Sequence, residues 1–99
     1  MKNIKEYIVE STQSEDLTYE IGLALSKFGS VKNGFKMVPI KDIEDAMFKA
    51  GFDYDKESSS DETLIFVGEY IDTQYEVDLY AADHVTGKFK IKNFNVFES

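Results

Sequence analysis

Carboxylates are the one reactive group this chain carries in quantity. Asp42, Glu44 and Asp45 are followed by Asp53, Asp55, Glu57, Asp61 and Glu62, while His84 is the only imidazole and cysteine is absent. There is no second histidine for zinc, and the absence of cysteine removes thiolate metal sites. There is no glycine-rich phosphate loop after a strand and no Gly-x-Ser-x-Gly elbow to expose a nucleophile. Paired carboxylates can do acid and base work, but acids this dense single out no particular pair. A calcium loop beginning at Asp53, Asp55 and Glu57 would have Ser58 where the sharp turn needs glycine, and Leu64 where a bidentate glutamate belongs. No catalytic residue, metal or cofactor is therefore expected, and the chain does not read as an enzyme.

What such acids can do is recognise positive charge. Nineteen acidic residues face eleven basic ones, all of them lysine, for a net charge of -8. That sign repels phosphate and argues against direct nucleic-acid binding. Between 53 and 62, five acids and Lys56 place -4 in ten residues. The bland reading of this surface is solubility. The sharper one is that Asp42, Glu44, Asp45, Asp53, Asp55, Glu57, Asp61 and Glu62 form a belt standing in for a row of phosphates. A basic or nucleic-acid-binding protein would then be the partner, inhibited by a DNA mimic. Ser58, Ser59 and Ser60 read as a flexible solvated loop, with phosphorylation as the alternative.

The elements that would hold these acids centre on 63–97, which reads as a three-stranded antiparallel meander. Tyr75, Val77, Leu79 and Ala81 alternate with Gln74, Glu76, Asp78 and Tyr80, so one face is buried. Phe89 and Ile91 continue that face in the third strand. A turn around Asp83, His84, Val85, Thr86 and Gly87, with pairing that closes near His84, sets Asp78 against Lys90 and Glu76 against Lys92, and the phase slip before Phe94 and Val96 implies a bulge at Lys92 and Asn93. In the first strand, a turn at Asp72 and Thr73 pairs Tyr70 with Tyr75 and Phe66 with Leu79. This points Leu64, Phe66, Gly68 and Tyr70 inward and leaves Ile65, Val67 and Ile71 outside with Tyr80. Ile65, Val67 and Tyr80 are the candidate self-association surface of a homodimer.

Two or three helices precede the meander. Ile4, Tyr7 and Ile8 suit a short amphipathic helix over 2–10. Ser14, or Thr12 with Glu15, caps a second over 16–28, whose face is Leu17, Ile21, Ala24, Leu25 and Phe28, with Gly29 as its stop. Asn33-Gly34 marks a loop or small hairpin. Pro39 opens a third helix over 40–50, carrying Ile40, Ile43, Met47 and Ala50, and Gly51 ends it with Phe52 packing back. A winged helix would need basic residues on its recognition helix, and this one offers acids. The fold expected is one α+β domain over 1–99, with helices on an inner face of Phe66, Val77, Leu79, Phe89 and Ile91.

Ninety-nine residues suffice for one core and not for two. The absence of cysteine fits a reducing compartment, and no apolar run nears the roughly 20 residues that span a bilayer. A soluble, intracellular protein with no membrane contact is expected.

The first eleven residues, Met-Lys-Asn-Ile-Lys-Glu-Tyr-Ile-Val-Glu-Ser, resemble the capsid-targeting leader of internal head proteins of T-even-like phages. Met1, Lys2, Glu6 and Tyr7 match the leader. Ile8, Val9 and Glu10 match the site where a phage protease cuts after a glutamate, which would leave Ser11 as the new N-terminus. Asn3, Ile4, Lys5 and Val9 depart from the usual form. The resemblance implies a phage protein acting in the host cytoplasm or carried in the virion, either blunting a host enzyme or serving as a structural or accessory particle protein.

Overall fold

The computed structural model describes the chain from Ile4 onward, with side chains from Gln13. The fold is α+β. Helix α1 spans Ile4–Leu25 and α2 spans Ile40–Lys49, separated by a two-stranded hairpin of β1 (Gly29–Ser30) and β2 (Gly34–Phe35). β3 (Val38–Pro39) precedes α2, β4 (Phe52–Tyr54) follows it, and the chain ends with β5 (Thr63–Tyr70), β6 (Thr73–Val85) and β7 (Lys88–Glu98). The main sheet has five strands in the order β3-β7-β6-β5-β4, all neighbours antiparallel.

The three-stranded meander thus forms the centre of a wider sheet. Its edges, β3 and β4, are two and three residues long, too short for alternation to register. Gly68 was the available sign of β4. A Cβ there would fall inside van der Waals contact of Gly51 O and the Phe52 ring, so the glycine lets a neighbouring backbone close in on β5.

Among the described residues a single α-helix precedes the β1–β2 hairpin, where a break at Thr12 to Asp16 was expected. No glycine or proline interrupts 4–21, and a capping preference yields to a continuous helix where nothing forces a stop. Thr18 Oγ1 donates back to Ser14 O at 2.9 Å, so Ser14 lies within the helix and caps nothing. α1 ends at Leu25, followed by a single 3-10 turn over Ser26–Phe28. α2 starts behind Pro39 and stops before Gly51, at φ 94, while Phe52 is wholly buried.

Leu17, Ile21 and Phe28 from the first helical segment and Ile43, Ala46 and Met47 from α2 meet Phe52, Leu64, Phe66, Tyr75, Val77, Leu79, Phe89 and Ile91 in one core. The buried half of the sheet pattern is therefore as expected. Gln13 Nε2 ties the helix to the end of β5 by donating to Tyr70 O at 3.1 Å.

Both hairpin registers differ from expectation. β5 and β6 turn at Ile71 and Asp72, which take φ 48 and 62, so Leu64 pairs with Leu79 and Phe66 with Val77, two residues from the expected pairing. A β-branched residue is a poor occupant of a left-handed turn position, so turn chemistry pointed past Ile71. A two-residue shift keeps every side chain on its face. The β6–β7 turn is confined to Thr86 and Gly87, the end of the expected stretch, and pairing closes at Val85 opposite Lys88, not near His84. Asp78 consequently faces Asn95, and Glu76 faces Phe97, with no lysine opposite either. The register shifts fall between Tyr80 and Ala81 and between Ala81 and Asp83, so Lys92 is bypassed on one strand and Ala82 on the other. The bulge at Lys92 is present, and a second one opposite it was not foreseen.

Candidate functional site

The eight acids of the expected belt are divided among three places. On α2, exposed Asp42 and Asp45 line a shallow groove with Lys27, Phe28, Val38 and Lys49, where lysines offset their charge. Glu44 and Asp45 border a second hollow with Phe48, Phe52, Asp53 and Tyr54. Glu57, Asp61 and Glu62 are exposed on the loop after β4. Asp53, which borders that hollow from β4, and Asp55 take outward positions at the edge of the sheet.

That loop is not the free segment its serines suggested. Asp55 N–H donates to Ile65 O at 2.8 Å, which continues the β4–β5 ladder by one residue. Ser59 Oγ accepts from Ile65 N–H at 2.8 Å and donates to Asp55 O at 2.7 Å, completing the strand edge with a side chain. Ser60 Oγ accepts from Thr63 N–H, and Ser60 N–H donates to Thr63 O at 2.8 Å. The hydroxyls of Ser59 and Ser60 are thus engaged in holding the loop against β5.

The consequence is a defined outer face. Paired residues share a side of the sheet, so one row across it reads Asp53, Val67, Glu76, Phe97 and the next reads Asp55, Ile65, Asp78, Asn95. Tyr80 lies in the row beyond, its hydroxyl accepting from Asn95 Nδ2 at 3.2 Å. Val67 is 39% and Phe97 44% exposed. α1 and α2 pack on the opposite face, and among the described residues no element covers this one. Ile65, Val67 and Tyr80 therefore do share the outer face, as the alternation implied. They share it with five carboxylates, Asp53, Asp55, Glu69, Glu76 and Asp78, of which Glu76 and Asp78 were expected to face lysines.

The electrostatics follow from that crowding. Glu76 titrates above the ordinary glutamate range: its neutral form donates a hydrogen bond to the Asp78 carboxylate, its carboxyl is partly withdrawn from water, and Asp78 and Asp55 add negative charge beside it. In the ionised pair, Asp78 Oδ1 is shielded from water without a hydrogen-bond partner. Like charges held together with an unpaired oxygen make a face that gains from a cation. Among the described residues, no three Asp, Glu or His side chains converge as a metal site would require.

The remaining candidates sit apart. His84 is exposed on the distal hairpin, stacked on Phe89 with ring centroids 6.3 Å apart, and no carboxylate pair is placed to use it. Ile8, Glu10 and Ser11, the cleavage pattern of the leader-like segment, lend backbone to α1, and their side chains lie outside the described residues. Among the described residues no helix is long and apolar enough to cross a membrane. The signal for Glu76 and Asp78 was present in the alternation of β6, but a turn placed too early gave each a lysine opposite.

Comparison with protein-family models, curated proteins and solved structures finds no match.

Proposed function

We propose that this chain is a small phage-type interaction module that inhibits a basic, nucleic-acid-binding host protein by offering carboxylates where that protein expects phosphates. The observation that carries this reading is the outer sheet face, where Asp53, Asp55, Glu76 and Asp78 gather without a covering element and without a lysine opposite Glu76 or Asp78. Exposed carboxylates steer a basic partner at long range and lose that influence as salt rises, since screening acts over about 10 Å at 0.1 M. The leader-like first eleven residues support the phage attribution.

The test is competition with nucleic acid. Bacterial lysate proteins are loaded on DNA-cellulose and washed at low salt with the intact protein, or with Asp53, Asp55, Glu76 and Asp78 changed to Asn or Gln. Release of a defined protein by the intact form only, suppressed at higher salt, is the expected result. Equal release by both forms, or none by either, removes the mimicry reading.

A further inference from the structure

The outer face is more than a field of charge. Same-face residues on a strand recur about every 6.8 Å and neighbouring strands lie about 4.8 Å apart. Asp53 and Asp55 therefore make one short column of carboxylates, Glu76 and Asp78 make another, and Ile65 and Val67 run between them. The two columns are two strand spacings, roughly 10 Å, apart. An α-helix with its side chains is about 10–12 Å across. A helix laid along β5 would set an apolar stripe on Ile65 and Val67 and bring its two flanks over the two columns. Lysine and arginine suit those flanks, because their aliphatic stems cover apolar surface while their charged ends reach sideways.

We infer that the outer sheet face docks a basic amphipathic helix of the partner protein, with its apolar stripe on Ile65 and Val67 and cationic heads reaching Asp53 and Asp55 on one side and Glu76 and Asp78 on the other. This rests on the proposed acidic-module reading and specifies which part of the partner is gripped. Charge complementarity selects the occupant. A second copy would press this row of carboxylates against its own like, and nucleic acid would bring phosphate to the same acids. A cationic head over the Glu76 and Asp78 column stabilises Glu76 in its ionised form. The groups facing Glu76 are Asp78 on its own strand, Glu69 diagonal to it on β5, and Asp55 and Asp53 from the β4 side, while β7 contributes only Asn95 and Phe97. Binding should therefore weaken as the pH falls through the raised Glu76 value, and only in that range be coupled to loss of the Glu76 proton.

Two synthetic peptides of roughly five helical turns test this on the full chain. They share one lysine-leucine composition; in one the leucines form a single stripe flanked by lysines, and in the other the order is scrambled. Fluorescence anisotropy should show the striped peptide binding at least tenfold more tightly. The double variant Glu76→Gln with Asp78→Asn should lose about tenfold, and so should Val67→Asn, with circular dichroism confirming that each stays folded. Neutralising Asp42, Glu44 and Asp45 should change nothing. The acid-side weakening should disappear in Glu76→Gln, an effect that loss of structure alone does not produce. Equal binding of the two peptides overturns the helix site and leaves the charge reading standing. Loss through the α2 acids in place of Glu76 and Asp78 also overturns it. A dimer that Val67→Asn breaks, seen by sedimentation, gives the face to a second copy. Failure of both peptides to bind ends this inference, while the DNA competition decides the broader proposal separately.

Discussion

The long β6–β7 hairpin has two halves that differ in almost every respect. In its base, 73–80 against 93–98, the inner face of β6 is sealed in the core, Phe94 and Val96 of β7 are half-buried against it, and the other face carries Glu76 and Asp78 beside β5. Past the bulges at Lys92 and Ala82, 81–85 against 88–92 have left β5 behind, and Lys88 and Lys90 point outward with Asp83 as the cross-strand partner of Lys90. Opposite charges that look paired in the sequence are sorted along the hairpin instead of across it. Where the chain turns decides whether an acid is neutralised by its neighbour or left available to a partner.

The largest expected effect is on the core of the base. Phe66→Ala, at a wholly buried position, should cost about 3–5 kcal/mol in urea unfolding. Phe89→Ala, in the distal half and packed partly on exposed His84, should cost clearly less. Equal losses would make the arm as integral as the base and dissolve the contrast.

Next comes the strand that completes the acidic face. Gly68→Ala drives a methyl into Gly51 O and Phe52, and should cost about 1–3 kcal/mol by overpacking, with Phe52 fluorescence too weak to report it and thermal unfolding the better measure. A similar loss of about 1–3 kcal/mol is expected for Ser59→Ala, which strips the partner from Ile65 N–H. A negligible change in Ser59→Ala would mean the loop is held by its backbone alone.

The smallest effect is the most informative about charge. Glu76 has a folded value raised above its unfolded one of about 4.3, so the folded state binds the proton more tightly. Its contribution is fully present below the unfolded value and is lost as pH rises through the folded value. Glu76→Gln should therefore raise the melting temperature slightly at pH 7 and not at pH 4. Lys90→Gln, in the distal half, should show no such pH dependence. A uniform shift for Glu76→Gln at both values would show that crowding by Asp78 and Asp55 is not what sets its titration.

The core was legible because burial writes a period-two or period-3.6 pattern over several residues. Phe66, Val77, Leu79, Phe89 and Ile91 were all readable from it, as were the α2 face and the shared outer side of Ile65, Val67 and Tyr80. Pairing registers were not, because alternation fixes only the parity of a strand and leaves the turn to choose among registers of equal parity. Ile71 at positive φ hid the first turn, and the turn-forming stretch from Asp83 to Gly87 admitted more than one closing point for the second. The site suffered most from this. Half of it, Glu76 and Asp78, was assigned to lysines, and the other half depended on a three-residue strand that no periodicity reveals.

The order of the strands also sets an order of assembly. β5, β6 and β7 are joined by two-residue turns and can zip with little loss of chain entropy. β4 reaches β5 only across the loop that follows it, and it pairs along three residues plus Asp55. Fast, short-range closure thus builds the column of Glu76 and Asp78, and the column of Asp53 and Asp55 joins when the edge strand docks. The same strand should be the first to let go, its amide protons exchanging with deuterium sooner than those of β5 and β6. If that exchange is seen, the two walls of the acidic face differ in how long they last, the β4 wall being the one the chain gives up first.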